Sequence, residues 1–173
     1  MAFGAIFVPD FLLQAVERSE PEVRNRPLVL VDGPAPTYRV IAVNRLATAL
    51  GVTPGLTKAA AAEFQGTEIK LRQTEQEVAA HAALLDAAWS LSPHVEDTAP
   101  DTVLLDLAGL AALFGAPEEI AQQMKSRCSA LGVHLNLRQN ERKLPYALHR
   151  FLVGNPCNFK PSGGIPQRSE PPF

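Results

Sequence analysis

Cysteine is scarce in this chain, which has Cys128 and Cys157 among its 173 residues. Neither stands with histidines or further cysteines at the spacing of a zinc site. Small secreted proteins typically depend on a dense disulfide framework, for which two cysteines are too few. We therefore expect neither a zinc site nor a disulfide framework. We expect the chain to occupy a reduced, cytoplasmic setting.

Long hydrophobic runs are also missing. A membrane-spanning helix needs about 20 consecutive apolar residues, and no run in the sequence approaches that length. The chain starts with a short apolar run that lacks the preceding basic segment of a secretory signal peptide. The sequence thus predicts a soluble intracellular protein that does not contact membranes.

An excess of positive charge is absent as well. The 16 Lys and Arg residues are outnumbered by 18 Asp and Glu residues, giving a formal net charge of −2. Proteins that bind nucleic acid usually carry a basic patch or stripe, so DNA binding by this chain would depend on a local cluster. Arg39, Arg45 and Lys58 form the one group with a basic character, and a solvated, unconnected set is the favoured interpretation of these three residues.

What the sequence does contain is the apolar content of a globular protein, with 46% hydrophobic and 20% charged residues. This length and composition suffice for one domain with a core, or for one domain plus a small lobe. Predicted strands span residues 3–8, 28–31, 39–43, 68–71, 94–97, 102–107 and 133–137. Predicted helices span residues 11–17, 45–50, 57–64 and 117–131, and a longer helix begins at residue 74 and includes Trp89. We expect an α+β fold in which helices back one antiparallel sheet and the middle of the chain forms an inserted lobe.

Several polar residues stand where helices are expected to begin. Asp10 and Asn44 can cap the first two helices, and Gly51 follows the second as a stop signal. Thr74 and Glu77 form a capping box at the start of the long helix. These signals set most of the predicted helix boundaries.

The long helix carries an apolar stripe at helical spacing, made of Val78, Ala82, Leu85 and Trp89. His81 lies beside this stripe and is expected to be a helix-surface residue rather than a catalytic one. The later helix is expected to bury Ile120, Met124, Cys128 and Leu131. Residues 138–173 are polar at first and then rich in Pro, Gly and Ser, so we expect a poorly ordered tail with one short helix at 146–152.

A predicted hairpin between residues 92 and 107 turns at Pro100 and Asp101. Alternation places Asp101 on the same face as Val103 and Leu105, so that a carboxylate sits at the tip of an apolar hairpin. Such a position suits a metal ligand, because the sheet fixes the carboxylate and the turn exposes it. On spacing alone, an ordinary turn residue is the stronger interpretation of Asp101.

Four segments in this order carry a family resemblance: residues 6–17 (IFVPDFLLQAVE), 26–31 (RPLVLV), 42–56 (with NRLAT and GVTPGL) and 92–106 (SPHVE through DTVLLD). They resemble the opening strand and helix, the second strand, the fingers motifs and the Ser-Pro-Xaa-Val-Glu hairpin of Y-family DNA polymerases of the UmuC/DinB type. The resemblance is strongest to the ImuB-like branch of degenerate relatives associated with DNA repair and SOS mutagenesis. It covers residues 3–137.

The resemblance implies a palm made of residues 3–34 and 90–137, a small helical fingers insertion at residues 35–75, and an unmatched tail at 138–173. It also implies nucleotidyl transfer past damaged template bases, with two magnesium ions held by several carboxylates. DNA and proteins of DNA repair or replication are the implied partners. The family's thumb and little finger would follow Leu137, where this chain no longer matches.

The chain departs from the family at the implied metal ligands. Pro9 stands where the family has its first aspartate, and Asp10 is displaced by one position. Asp101 matches the hairpin aspartate, but Thr102 replaces the glutamate beside it. The magnesium ligands that remain as candidates are Asp101 and Asp10, with Glu96 as a further candidate.

The implied triphosphate contacts have changed too. Arg45 and Thr48 stand where the fingers carry a tyrosine and an arginine. Arg45 still has the reach and charge to contact a phosphate, and Lys58 is the second candidate for nucleotide binding.

Three hypotheses follow. The preferred one is a catalytically inactive, ImuB-like accessory protein of DNA repair, which needs no cofactor. The second is an error-prone DNA polymerase that retains magnesium on Asp101 and Asp10. The third is a truncated or frame-shifted product without an independent function.

Overall fold

The computed structural model describes residues 3–135, which fold into an α+β arrangement of two small sheets and several helices. The strands are β1 (Phe3–Phe7), β2 (Leu28–Asp32), β3 (Arg39–Val43), β4 (Glu68–Leu71), β5 (Val95–Ala99) and β6 (Thr102–Asp106). The α-helices are α1 (Phe11–Ser19), α2 (Arg45–Ala49), α3 (Lys58–Ala62), α4 (Thr74–Trp89), α5 (Ala111–Phe114) and α6 (Pro117–Ala130), and a 3₁₀ turn spans Pro21–Val23. This confirms the predicted fold class. Within these residues, no helix has both the length and the apolar character needed to cross a membrane.

The first sheet is antiparallel, with strand order β1-β6-β5. Its hairpin confirms the predicted turn at Pro100 and Asp101. Val103 and Leu105 point into a core that α4 and α6 cover, because alternate residues of β6 face the same side of the sheet. In this register Phe7 of β1 lies opposite Thr102, so the end of β1 meets the hairpin turn.

The second sheet has strand order β3-β2-β4, with β2 antiparallel to β3 and parallel to β4. The family resemblance assigns residues 3–34 to the palm; within that range, β1 belongs to the first sheet and β2 to the second. The physical reason is that β2 is apolar on both faces. Val29 and Val31 pack against one core and Leu28 and Leu30 against another, and such a strand needs a neighbour on each edge and cover on each face.

Helix α1 packs between the two sheets. Phe11 and Ala15 lie in the core of the first sheet, while Leu13 and Val16 pack against β2. An amphipathic helix of this length normally buries one stripe, but α1 buries residues on two sides. The start of α1 is therefore fixed relative to both sheets.

The cap of α2 confirms its sequence signal. The side-chain oxygen of Asn44 accepts hydrogen bonds from the amides of Ala47, at 2.9 Å, and Leu28, at 3.0 Å. Its side-chain nitrogen donates to the carbonyl of Arg26 at 2.8 Å. Gly51 follows the helix with a φ of 95°, which suits glycine. Asn44 thus caps a helix and also ties it to the start of β2.

Two predicted caps are wrong in detail. Asp10 occupies the N-cap position of α1, but its side chain forms no capping hydrogen bond because its backbone is left-handed, with a φ of 50°. The N-cap residue of α4 is Gln73, whereas Thr74, the predicted cap, is the first residue of the helix. The carboxylate of Glu77 is engaged by Arg72, so it does not complete the predicted capping box.

Helix α4 does not pack through its predicted apolar stripe. Its buried residues lie on the other side and are four alanines and one leucine: Ala80, Ala83, Leu84, Ala87 and Ala88. Val78 and Trp89 of the stripe are 63% and 58% exposed. Because alanine side chains are small, α1 and the first sheet can approach α4 closely. The stabilisation from this close packing exceeds that which burial of the larger side chains on the opposite face would give.

The end of the described region differs from prediction as well. Leu131 is exposed, in contrast to the buried Ile120, Met124 and Cys128. Residues 133–135 form no strand, because the amide of His134 donates to the side chain of Gln14 at 2.7 Å. The described residues do not include residues 136–137 of the predicted strand, Cys157, or the predicted tail at 138–173 with its helix at 146–152.

Candidate functional site

The two candidate carboxylates come together at the junction of β1 with α1. The amide of Val8 donates to the carbonyl of Asp101 at 2.9 Å, which holds the end of β1 against the hairpin turn. Asp10 and Asp101 line one open groove of about 330 Å³, together with Phe11, Leu12, Ala42, Arg72, Glu77 and Pro100. The structure therefore places Asp10 and Asp101 at a common site.

Asp10 is positioned by a tight turn. Its carbonyl accepts hydrogen bonds from the amides of Leu13 and Gln14, and Gln14 also donates its side-chain amide to the carbonyl of Pro9 at 2.8 Å. The left-handed backbone of Asp10 is uncommon for a residue with a side chain, although aspartate tolerates it better than most. The turn leaves the Asp10 side chain exposed to solvent.

Asp101 is half-buried, and part of its carboxylate is already used. The hydroxyl of Thr102 donates to one of its oxygens at 2.9 Å. Thr102 itself is 6% exposed. The residue at the position of the family's glutamate therefore supplies a hydroxyl donor where the family has a negative charge.

Glu77 is a third carboxylate at this groove, and the sequence analysis missed it. Both of its oxygens accept from the guanidinium of Arg72, at 2.6 and 2.9 Å. Asp32 also contacts this guanidinium, at 3.3 Å, and the two carboxylates raise the pKa of Arg72 above its usual value. The contact of Arg72 with both Glu77 and Asp32 was not visible in the sequence, because no local signal connects Arg72 to Asp32 on β2.

Arg45 lies at a second open groove of about 260 Å³, which shares Asp10 with the first. Asn44, Gln14, Glu17 and His134 also line it. Burial raises the pKa of Glu17, and the charge of Asp10 adds to this effect while Arg24 opposes it. Arg45 is exposed at the start of α2.

Lys58 and Arg39 lie together but apart from these grooves. The ammonium of Lys58 is 5.4 Å from the centre of the Tyr38 ring, and its backbone amide donates to the Tyr38 carbonyl. Arg39 donates to the carbonyl of Gly55 at 3.1 Å and forms a β-bridge with Thr57. The backbones of Lys58 and Arg39 are thus neighbours, while their side chains contact Tyr38 and Gly55, and Arg45 lines the groove that contains Asp10.

Glu96 does not join the site. It lies opposite Leu104 in the first sheet, one residue along from Val95, which packs on the core. Its side chain is exposed and lines neither groove. Glu96 is therefore separate from Asp10 and Asp101.

The carboxylates of the groove do not fit a two-magnesium centre. A magnesium ion requires near-octahedral coordination by six oxygens, some of which come from water or substrate. Asp10 and Asp101 supply two carboxylates, and Glu77 is engaged by Arg72. Across residues 3–135 the structure contains no cluster of three or more His, Cys, Asp or Glu side chains able to hold a metal ion.

Comparison with known proteins identifies the family. Residues 6–134 match the impB/mucB/samB family. The chain belongs to this family. It is also 30% identical, over 121 residues, to DNA polymerase IV of Pelotomaculum thermopropionicum, a match that covers 68% of this chain and 30% of that protein.

Solved structures share the fold of this family member. An insertion ternary complex of Dbh DNA polymerase matches 78% of the chain with a TM-score of 0.63 and 18% identity, and covers 41% of that polymerase. DinB from Sulfolobus solfataricus matches 78% of the chain with a TM-score of 0.64 and 18% identity, and covers 40% of that protein. The resemblance to the N-terminal part of Y-family DNA polymerases is confirmed, and the chain spans well under half the length of these relatives.

Proposed function

We propose that this chain is a catalytically inactive, ImuB-like accessory domain that acts in DNA repair and SOS mutagenesis in the cytoplasm. The observation that supports this proposal is the composition of the groove. Asp10 and Asp101 face it without a third free carboxylate, and Thr102 stands at the position of the family's glutamate. DNA and proteins of repair or replication are the proposed partners.

The physical argument concerns charge. Phosphoryl transfer needs cations that neutralise the triphosphate and lower the pKa of the attacking hydroxyl. Asp10 and Asp101 are the two carboxylates that line the groove where such cations would be needed. Two carboxylates, one of which accepts a hydrogen bond from Thr102, hold such cations weakly because each ion would keep most of its water.

The alternative function is residual error-prone polymerisation. The observation that favours it is that Asp10 and Asp101 converge on one groove, with Arg45 at the neighbouring groove as a phosphate contact. The two proposals differ in whether the groove binds a divalent cation in the absence of DNA.

The proposal is tested by titrating the full chain with manganese. The readout is the paramagnetic line broadening of the Asp10 and Asp101 amide signals. We expect no saturable broadening in the wild-type chain. The matched variants Pro9→Asp and Thr102→Glu each restore one family carboxylate, and we expect broadening to increase in at least one of them. Saturable broadening in the wild-type chain that Asp101→Ala abolishes would overturn the proposal.

Primer extension opposite undamaged and abasic template positions provides the second test. We expect no extension by the wild-type chain with magnesium or manganese. Because the chain spans only part of its relatives, absence of extension alone would not separate a defective groove from missing segments. The cation measurement makes that separation, and extension that Asp101→Ala abolishes would support the alternative.

A further inference from the structure

Helix α4 presents a second apolar face that the described residues cover only at Leu85, which packs partly against the core of the first sheet. Val78 and Trp89 are largely exposed, Ala82 is exposed, and Leu85 is half-buried. This α4 stripe (Val78, Ala82, Leu85 and Trp89) extends over twelve residues, which corresponds to about 16 Å or three helical turns. Aromatic and branched apolar residues that cluster in this way on a surface are typical of protein interfaces.

Acidic residues border the α4 stripe on both sides. At 100° per residue, Glu75 and Asp86 lie along one side of it, and both side chains are exposed. On the other side lies His81, whose Nε2 is 3.0 Å from the carboxylate of Asp97 on the edge strand β5. Glu96, next to Asp97, is also exposed.

Helix α4 contains no Lys or Arg between Thr74 and Trp89, and its one histidine, His81, faces the carboxylate of Asp97. Among the described residues, neither Glu75 nor Asp86 forms an ion pair, whereas Glu77 pairs with Arg72 on the side of α4 that faces the groove. The side of the α4 stripe that carries Glu75 and Asp86 is therefore negative, and its centre is apolar, while Arg127 contacts Ser90 at its C-terminal end.

We propose that the α4 stripe binds an amphipathic helix of a partner protein whose apolar face is flanked by Lys and Arg. A straight apolar stripe about three turns long matches the i, i+3, i+4, i+7 anchors of a helix, and the acidic rim complements basic flanks. A second copy of the chain is disfavoured, because a symmetric contact would bring Glu75 and Asp86 of both copies together. Nucleic acid and anionic lipid would be repelled by the same rim.

Trp89 supplies a direct probe of this interface. It is the one tryptophan of the chain and lies within the α4 stripe. Tryptophan is enriched among residues that dominate binding energy, and its emission shifts to the blue when the indole leaves water. The fluorescence of the full chain thus reports on this surface without a label.

The test is titration of the full chain with a tryptophan-free peptide of about 15 residues that forms a helix, with leucines at i, i+3, i+4 and i+7 and flanking lysines. The control peptide carries glutamate in place of each lysine. We expect a saturable blue shift with the lysine peptide alone, and an affinity that weakens as salt is raised.

Three variants of the chain refine the test. In the double variant Glu75→Lys, Asp86→Lys, we expect binding of the lysine peptide to weaken about tenfold or more, with the apolar surface intact. Val78→Ser removes an exposed apolar contact and should also weaken binding. Leu50→Ala, an exposed apolar position next to α2, is the matched control and should bind like the wild type.

Four results would overturn the proposal: no blue shift, equal binding of both peptides, an emission spectrum of the free chain that already indicates a buried indole, or a blue shift that depends on the concentration of the chain alone. The third result would mean that another part of the chain covers the stripe, and the fourth that a second copy does. The inference uses none of the groove residues, so its failure and that of the proposed function are distinguishable.

Discussion

The Nδ1 atom of His81 lies 2.9 Å from the carbonyl oxygen of Pro100. Because a carbonyl only accepts, Nδ1 carries the hydrogen, and the contact joins helix α4 to the hairpin turn that bears Asp101. His81 is thus more than the surface residue that the sequence indicates, since it is bonded to Pro100, a residue that lines the candidate groove.

Replacing His81 with alanine should loosen this turn. We expect His81→Ala to lower the free energy of unfolding by about 1 kcal/mol, the contribution of one hydrogen bond, and to speed amide exchange at Asp101 and Thr102. His81→Gln retains a donor and should restore part of the protection. Unchanged exchange at the turn in His81→Ala would show that the hydrogen bond does not hold it.

Asn44 makes three hydrogen bonds that connect α2 with the start of β2. We expect Asn44→Ala to lower the free energy of unfolding by about 2 kcal/mol, because the cap is lost and the amide of Leu28 loses its partner. Asn44→Asp retains the accepting oxygen and loses the donor to Arg26, so its loss should be smaller. Urea unfolding of the two variants measures this difference, and equal losses would contradict the argument.

Glu17 should make the chain less stable as the pH rises. Burial raises its pKa above the ordinary value of 4.5, so the folded state binds the proton more tightly than the unfolded state. Stability therefore falls as the pH rises from 4.5 through the raised pKa. We expect Glu17→Gln to unfold at higher urea concentrations than the wild type above this window. A pH profile of urea midpoints that is the same in both chains would refute the prediction.

Glu20 should have the opposite effect. Its hydrogen bond from Lys70, at 2.6 Å, lowers the pKa of the carboxyl. The stabilisation is present above the ordinary value of 4.5 and is lost as the pH falls through the lowered pKa. We expect Glu20→Gln to lose about 0.5 kcal/mol at neutral pH, since both side chains keep contact with solvent. The variant should converge with the wild type in acid, and a loss that persists there would have another cause.

Cys128 should be inert in the folded chain. It is fully buried among apolar residues, and burial raises the pKa of its thiol to about 11. Alkylation requires the thiolate and access, so we expect modification of Cys128 at pH 8 only as fast as the chain unfolds. Cys157→Ser leaves Cys128 as the sole thiol for this measurement. Rapid alkylation without denaturant would contradict the buried position.

Local signals predicted much of the fold. The cap at Asn44 and the stop at Gly51 gave the bounds of α2 because each depends on hydrogen bonds within a few residues. The packing face of α4 could not be predicted in this way. Both of its sides are apolar, and the choice depended on how closely α1 and the first sheet approach, a tertiary property.

The candidate site, too, could be predicted from the sequence only in part. Asp10 and Asp101 were found from the family resemblance and the hairpin pattern, and the structure places them at one groove. The engagement of Glu77 by Arg72 was not found. It depends on the turn between β4 and α4 and on the distant Asp32, to which periodicity and spacing give no clue.

The pairing of β1 with β6 also determines when β1 can fold while the chain is being synthesised. Phe3 lies opposite Asp106, so the first strand made must wait for one of the last described strands before it gains a hydrogen-bonded neighbour. The second sheet closes within residues 28–71 and is available earlier. We therefore expect ribosome-stalled chains that end before β6 to be cleaved by protease at Phe3–Phe7 while β2 resists. During that interval the apolar first strand is the segment that a chaperone would protect from aggregation.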